Sequence, residues 1–171
     1  MNPLASPHPS SAAAWVTPSP LRVVFDTNVL LSLWVFDKRP GGSRFAPLRV
    51  AIETGALIAL SRTDCLDEFE RVLGYPEFQL TLPEQQTIFA EYRAHAVQVP
   101  AASCPVCVLP KCRDRDDQKF LELARDAAAD ILTSSDKALL KLARRKPLPN
   151  LFRIMPPEQL MSLINPLGSG L

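Results

Sequence analysis

The chain has 171 residues, of which 47% are hydrophobic and 22% are charged, and its formal net charge is +1. This length and composition are typical of one globular domain with its own core. No apolar run reaches the roughly 18 residues that a transmembrane helix needs, so no transmembrane helix is expected. A net charge so close to zero neither requires nor excludes a nucleic-acid partner.

The first twenty residues differ from the rest of the chain. Residues 1–20 are rich in proline, serine and alanine and carry no charged side chain. They lack the basic start of a signal peptide, and prolines interrupt their apolar stretch, so we expect a flexible tail. A second tail is expected at 165–171, which leaves one domain at 21–164. Without an export signal, the four cysteines are expected to be reduced in a cytoplasmic protein.

Short apolar runs alternate with helical patterns along the chain. The predicted strands are 22–25, 56–60, 130–133 and 151–154. The predicted helices are 28–36, 44–54, 63–73, 83–97, 116–128, one capped within 134–136 that runs to about 145, and a short one that begins at 156–158. Irregular segments are expected at 37–43 and 98–113. This alternation predicts an α/β fold with helices on both faces of a parallel sheet.

Two of the predicted strands lead into an aspartate. Asp26 directly follows the first strand, and Asp136 follows the third after two serines. Ligand sites in parallel sheets lie beyond the carboxyl ends of the strands, and these positions therefore suggest function. Each acid could equally be an N-cap that accepts hydrogen bonds from helical N–H groups. Ser134 and Ser135 could serve either purpose.

The helix predicted at 63–73 carries two glutamates beside its apolar face. Glu68 lies at one flank of that face and Glu70 at the other, so helical periodicity does not separate them. A solvated surface charge is the alternative interpretation for both.

The helix predicted at 116–128 has an aspartate on its inward side. Its predicted buried face consists of Phe120, Leu121, Ala124, Ala127 and Ala128. Asp117 projects near the middle of that face, where a carboxylate needs a hydrogen bond, a cationic partner or a metal. Asp114 and Asp116 are close by. The charged run 113–117 could alternatively be a solvated charge cluster with internal ion pairs.

Together these acids can converge at one edge of a parallel sheet. Several carboxylates in one pocket cannot all remain ionised without a cation. Oxygen ligands of this kind select Mg²⁺, Mn²⁺ or Ca²⁺ over zinc. Such sites commonly catalyse phosphoryl chemistry.

Four segments of the sequence resemble the motifs of the PIN domain (PilT N-terminus). They are 23–32, 67–78, 112–124 and 129–140, in order along the chain. The resemblance implies a three-layer α/β/α fold with a central, mostly parallel sheet, and a metal-dependent ribonuclease activity. It is nearest to the PIN proteins that act as toxins of toxin–antitoxin pairs. Ser135 departs from the glycine or arginine usual in the fourth motif.

The resemblance also implies a set of functional residues. The catalytic and metal-binding acids would be Asp26, Glu68, Asp117 and Asp136, which selects Glu68 over Glu70. Asn28 and Thr133 fall at polar positions that support the acids, with Asp114 and Asp116 nearby. The implied cofactor is one or two Mg²⁺ or Mn²⁺ ions. The implied reaction is attack by an activated water on phosphorus, which leaves 5′-phosphate and 3′-hydroxyl ends.

Basic residues next to these acids are the predicted RNA contacts. They are Arg113, Arg115, Lys119 and Lys137, although solvated surface charge is the alternative for each. Single-stranded RNA is the expected substrate because its backbone can bend into a pocket. The toxin resemblance implies an antitoxin partner, and homodimers are common in the family.

Other classes of protein fit the sequence less well. Cys104, Cys107 and Cys112 suggest zinc, but a structural zinc site needs four ligands and no nearby fourth is present. A haloacid-dehalogenase-type phosphatase has a second aspartate where this chain has Asn28. The remaining hypothesis is a catalytically silent PIN fold that binds RNA or a protein, and the full set of acids argues against it.

Overall fold

Five strands form a parallel sheet in a computed structural model that describes residues 19–36, 44–102 and 107–165. The strands are β1 (Leu21–Phe25), β2 (Leu57–Ser61), β3 (Val97–Gln98), β4 (Ile131–Thr133) and β5 (Arg153–Met155). Their order across the sheet is β3-β2-β1-β4-β5, and each neighbouring pair is parallel. The predicted α/β fold with a parallel sheet is confirmed.

Helices connect the strands in the described ranges. They are α1 (Thr27–Leu31), α2 (Ala46–Glu53), α3 (Thr63–Leu73), α4 (Leu82–His95), α5 (Gln118–Asp126), α6 (Lys137–Leu142) and α7 (Pro157–Ile164). The helix predicted at 28–36 begins as α1 and continues as a π-helical segment, Ser32–Phe36. Helix α2 ends before Gly55, whose φ of 76° lies in the left-handed region that glycine tolerates.

The strand β3 is a correction to the sequence analysis, which ended a helix at residue 97 and began an irregular segment at 98. Val97 and Gln98 pair with Leu60 and Ser61 at the edge of the sheet. Both residues of β3 are exposed. A two-residue edge strand with exposed side chains has no apolar pattern that a sequence could reveal.

Alternate residues of β1 pack against two separate hydrophobic clusters. Val23 and Phe25 belong to the cluster formed with α1–α4 and α7. Val24 belongs to the cluster formed with α5 and α6. This period of two places helices on both faces and gives the three layers α/β/α. Each large side chain buried there contributes roughly 1.5–3 kcal/mol of transfer free energy.

Helix α5 is shorter than predicted. Phe120, Leu121, Ala124 and Ala127 are buried, as expected, but Ala128 is exposed. The helix ends at Asp126, and Ala128 has a φ of 46°, which turns the chain out of the helix. The prediction of a buried Ala128 was therefore wrong.

A buried arginine ties the end of β2 to α5. Arg62 is only 9% exposed. Its guanidinium donates two hydrogen bonds to Asp64, at 2.9 and 2.8 Å. It also lies 3.6 Å from Asp126 and 3.7 Å from Glu122, both on α5. These ion pairs fix α5, whose N-terminus carries Asp117, against the carboxyl end of β2.

Several predictions concern residues outside the described ranges. Cys104, the segment 37–43 and most of the tails predicted at 1–20 and 165–171 lie there. Among the described helices, none combines the length and the apolar character needed to cross a membrane.

Candidate active site

The acids meet at the point in the sheet where the strand order reverses. Strand β1 lies between β2, which follows it in the chain, and β4, which belongs to the other half of the sheet. A crevice forms at such a switch point, beyond the carboxyl ends of the two strands. Asp26 follows β1, and its N–H donates to the carbonyl oxygen of Thr133, the last residue of β4, at 3.1 Å.

Asp26 is almost fully buried in this crevice, with 3% of its surface exposed. Its Oδ1 accepts a hydrogen bond from the N–H of Val29 at 2.7 Å and so caps α1. Its Oδ2 accepts a hydrogen bond from the Ser134 hydroxyl. Burial raises the pKa of Asp26 to about 6, although these hydrogen bonds oppose the shift. Asp26 is therefore both an N-cap and a perturbed acid of the site.

Ser134, rather than Thr133, supplies the hydroxyl that contacts the acids. Ser134 is buried; its Oγ donates to Asp26 and accepts from the N–H of Asp136 at 2.9 Å. The Thr133 hydroxyl, predicted to support the acids, is buried without a hydrogen-bond partner among the described residues. The hydrogen bond between Thr133 and Asp26 joins their backbones, from the Asp26 N–H to the Thr133 carbonyl oxygen. Ser134 and Ser135 were both candidates from the sequence, and the structure selects Ser134.

Asp136 caps α6 at the end of β4. Its Oδ1 accepts hydrogen bonds from the N–H groups of Ala138 at 2.6 Å and Leu139 at 3.1 Å. The N-cap interpretation is thus correct for this acid as well. Its charge nevertheless reaches the other acids, because it contributes to the raised pKa values of Asp26 and Asp117.

Asp117 is the acid most affected by its neighbours. It occupies the N-cap position of α5 but makes no capping hydrogen bond with its side chain. Burial and, after it, nearby carboxylates together raise its pKa to about 6. Those carboxylates are Asp114, Asp136, Asp26 and Glu68. Asp117 is therefore within electrostatic reach of the other three predicted catalytic acids.

Glu68 is inward-facing and Glu70 is exposed, which distinguishes the two glutamates that periodicity left open. Glu68 Oε1 accepts a hydrogen bond from the Thr27 hydroxyl at 2.5 Å. Its Oε2 forms an ion pair with the ammonium of Lys119. Lys119, a predicted RNA contact, is thus directed at an acid of the site.

An acidic cavity of about 430 Å³ opens among these side chains. Its wall includes six carboxylates, Asp26, Glu68, Glu77, Asp114, Asp116 and Asp117, together with the exposed Asn28. Arg71 and Tyr75 also line it, and the Arg71 guanidinium donates to the Tyr75 hydroxyl. Arg71, Tyr75 and Glu77 were not predicted from the sequence, because they lie in the second motif without an identifiable functional signal.

A basic cleft of about 1010 Å³ lies next to the acidic cavity. Its cations are Lys111, Arg113, Arg115, Lys137, Lys141 and Arg145. Asp114 and Asp116 line both the cleft and the acidic cavity, so the two are adjacent. Asp136 lines the cleft.

The carboxylates of the acidic cavity are chemically suited to a hard divalent cation. The donors are carboxylate oxygens, and the mutual repulsion that raises the pKa of Asp117 is what a bound cation relieves. Within the described ranges, no three Asp, Glu, His or Cys side chains are arranged to enclose an ion. Thr27 and Lys119 occupy the two oxygens of Glu68, and helical N–H groups occupy one oxygen of Asp136. The Val29 N–H and the Ser134 hydroxyl likewise occupy the two oxygens of Asp26.

None of the described cysteines lines the acidic cavity, although the charges of Asp117 and Asp136 reach the Cys112 thiol. Cys65, Cys107 and Cys112 have free thiols in the part of the chain that the structure describes. Burial raises the pKa of the Cys65 thiol to about 12 and also raises that of Cys112.

The comparison with known families agrees with this geometry. A family model described as the PIN domain matches residues 22–138, which is more than half of the chain. The matched span contains all four predicted catalytic acids. A search of curated proteins gives no significant match. PIN domains are in general nucleases that use divalent metals. The chain therefore belongs to the PIN-domain family and has its nuclease fold.

Proposed function

We propose that this protein is a divalent-metal-dependent endoribonuclease that hydrolyses RNA at Asp26, Glu68, Asp117 and Asp136. The observation that carries the proposal is the convergence of Asp26, Glu68 and Asp117 on the wall of one acidic cavity, together with Asp114, Asp116 and Glu77. Burial first, and neighbouring carboxylates second, raise the pKa of Asp117 there to about 6. Structural ion pairs lower the pKa of an acid, whereas a crowded set of carboxylates is typical of a cation-dependent site.

Asp26, Asp117 and Asp136 would hold one or two Mg²⁺ or Mn²⁺ ions, with Glu68 assisting. When bound, such an ion supplies an activated water and neutralises charge on the phosphate. Ser134 orients Asp26, because its hydroxyl holds Oδ2 while the Val29 N–H holds Oδ1. Arg71, on the wall of the acidic cavity, can pair with a phosphate oxygen. The expected products carry 5′-phosphate and 3′-hydroxyl ends.

The basic cleft is suited to hold the RNA backbone. Arg113, Arg115 and Lys137, three of the four predicted RNA contacts, lie in it together with Lys111, Lys141 and Arg145. Cations of this kind position a phosphate backbone without reading its sequence. Because Asp114 and Asp116 border both cavities, a strand held in the cleft reaches the acids directly. A single strand suits this path, since its backbone can bend from one cavity into the next.

We further propose that the protein is the toxin of a toxin–antitoxin pair. The support is the resemblance of its four motifs to the toxin class of PIN proteins. A free ribonuclease would damage its host, so an antitoxin should bind and inhibit it. Homodimer formation is part of the same proposal. Co-expression with a neighbouring open reading frame that restores growth supports this role, and the absence of any growth defect on expression contradicts it.

The nuclease proposal is tested with labelled single-stranded RNAs, including transfer RNA, in the presence of Mn²⁺, Mg²⁺ or a chelator. The wild type and the Glu70→Gln variant should cut only with metal, because Glu70 is exposed on α3. The Glu68→Gln and Asp117→Asn variants should lose activity. Chelator-resistant cleavage that is equal in all four proteins would reject the mechanism. Binding of RNA without cleavage by any of them would favour the catalytically silent module instead.

A further inference from the structure

The Tyr75 side chain lines the acidic cavity on a wall that the basic cleft does not share. Asp114 and Asp116 border both spaces, whereas Arg71 and Tyr75 border the acidic cavity only. Arg71 belongs to α3, and Tyr75 follows the glycine that ends this helix. A single strand of RNA that leaves the cleft and passes the acids would therefore reach this wall next.

The backbone of Tyr75 is held in one conformation. A proline disfavours the helical region for the residue before it, and Tyr75, which precedes Pro76, is extended, with φ −70° and ψ 136°. The Tyr75 N–H donates to the Val72 carbonyl oxygen at 3.0 Å. The Tyr75 carbonyl oxygen accepts from the Phe78 N–H at 3.1 Å. The ring is thus carried by an ordered turn, so little entropy is lost when a ligand packs against it.

The guanidinium of Arg71 holds the Tyr75 ring by its hydroxyl and leaves the ring faces uncovered. Arg71 donates a hydrogen bond to that hydroxyl, and its guanidinium carbon lies 5.5 Å from the ring centroid. A group that reaches the hydroxyl from this distance lies beyond the edge of the ring and not above its face. Among the described residues, no other aromatic ring packs against Tyr75, whose side chain is half-buried.

This wall favours a nucleobase. Six carboxylates line the same cavity, so they repel a phosphate that is not paired with Arg71 or with a bound cation. A base carries no charge, and every base has a π-face that can stack on an aromatic ring. Single-stranded RNA presents its bases for such contacts, because they are not paired with a second strand. The chemistry at Tyr75 therefore suits an unpaired base.

We propose that Tyr75 is the stacking platform for an unpaired nucleobase of the RNA, next to the scissile phosphate and on the side away from the basic cleft. Arg71 is a positioning residue that orients the ring through its hydroxyl. The inference rests on the proposed function for the passage of RNA through the acidic cavity. It requires neither a metal ion nor cleavage.

The test compares the affinity for a short single-stranded RNA with that for the same ribose–phosphate backbone without bases. Both are measured by fluorescence anisotropy in the Asp117→Asn background, which avoids cleavage. Tyr75→Leu should weaken RNA binding about tenfold, because one stacked base is lost, and should change binding of the base-free backbone less than about twofold. Damage to the fold would instead weaken the binding of both ligands equally.

Two further variants control for the change of side chain. Tyr75→Phe keeps the ring and should bind RNA within about threefold of the parent protein. Phe89→Leu removes another half-buried ring, which packs against Phe69 and does not line the acidic cavity. It should alter neither affinity.

A photo-crosslink reports the contact directly. RNA that carries 5-iodouridine forms a covalent bond on irradiation with an aromatic ring stacked on that base, and mass spectrometry of the digested protein identifies the residue. The crosslink is expected at Tyr75, should persist in Tyr75→Phe and should be absent in Tyr75→Leu. A crosslink at other residues only, unchanged RNA binding in Tyr75→Leu, or equal weakening of RNA and base-free backbone overturns the inference.

The result is separable from that of the nuclease proposal, which depends on cleavage by the wild type in the presence of metal. If the wild type cuts no RNA but Tyr75→Leu loses the base-dependent part of the affinity, the stacking site is supported and the nuclease proposal is rejected. If the wild type cuts RNA but Tyr75→Leu binds both ligands as its parent does, the nuclease proposal is supported and the stacking site is rejected.

Discussion

The Ser134 hydroxyl donates a hydrogen bond to Asp26 Oδ2 and accepts one from the N–H of Asp136. One buried side chain therefore joins the acid that follows β1 to the acid that follows β4. Since Asp26 also caps α1 through Oδ1, both of its oxygens are fixed by the protein. Partners that orient ligand residues in this way commonly matter to a site almost as much as the ligands themselves.

Replacement of Ser134 by alanine should lower ribonuclease activity about 10- to 100-fold through misorientation of Asp26. It should also lower the free energy of unfolding by about 1–2 kcal/mol, because buried hydrogen bonds are lost. The activity is measured by cleavage of labelled RNA and the stability by urea unfolding. Ser135→Ala is the matched control, since Ser135 is exposed, and should change neither quantity. Equal effects of the two substitutions would refute the role assigned to Ser134.

The pH dependence of the metal-free protein should show the raised pKa of Asp117. The ordinary value is 3.8 and the folded-state value is about 6, so the folded state retains this proton over a range where the unfolded chain has lost it. Stability therefore falls as pH rises from about 4 to about 6. The wild type should lose stability relative to Asp117→Asn over that range in chelator. A constant difference between the two proteins would show that Asp117 is not perturbed.

Metal binding should have the opposite pH dependence. Asp26 and Asp117, with pKa values raised to about 6, must release their protons to bind a cation. The affinity for Mn²⁺ should therefore rise with pH up to about 7 and then level off. Calorimetry in two buffers of different ionisation enthalpy measures the protons released. Binding near pH 5 without proton release would contradict the assignment of these acids as ligands.

Arg62 should be essential for stability because it compensates acids on α5. Asp126 has a side chain only 3% exposed and lies 3.6 Å from Arg62. Arg62→Met should lower the free energy of unfolding by about 3 kcal/mol, a value moderated by the contact of Asp126 with Arg125. Arg44→Met is the control, because its ion pair with Glu158 is exposed and should contribute less than about 1 kcal/mol. Similar urea midpoints for the two variants would count against the network.

The basic cleft should determine how tightly RNA binds. Lys141 and Arg145 are exposed and line the basic cleft, but neither lines the acidic cavity. Alanine at both positions should weaken RNA binding and reduce the slope of log affinity against log salt by about 1.4, or about 0.7 per phosphate contact with a single strand. Fluorescence anisotropy with Asp117→Asn as the background avoids cleavage. Arg93→Ala, on the distant α4, is the control. An unchanged slope in the double variant would place the RNA elsewhere.

Local pattern was sufficient to predict most of the fold. Helix α3 matches the predicted 63–73 because its apolar spacing repeats over several turns. The four predicted strands are present, although the last lies at Arg153–Met155 rather than at 151–154 and begins with an exposed arginine. The two-residue β3 and the π-helical segment 32–36 were not predictable, since neither has a periodic apolar signature of its own.

Of the residues that form the site, the sequence pattern by itself indicated mainly the aspartates. Asp26 and Asp136 were identified by their place after strands, and the inward Asp117 by helical periodicity. Periodicity could not choose Glu68 over Glu70, and the family resemblance made that choice. The contact of Lys119 with Glu68 joins residues 51 positions apart, and the contact of Ser134 with Asp26 joins residues 108 apart. Such side-chain pairs depend on the tertiary fold, so sequence pattern did not reveal them.

Incubation of a circular single-stranded RNA with the wild type and with Asp117→Asn in Mn²⁺ is the most direct test of the central claim. A circle has no ends, so its conversion to a linear strand requires endonucleolytic cleavage. The account predicts linear product with 5′-phosphate and 3′-hydroxyl ends from the wild type, none with chelator, and none from Asp117→Asn. Linear product from both proteins, or product with a 2′,3′-cyclic phosphate, would contradict metal-dependent hydrolysis at these four carboxylates.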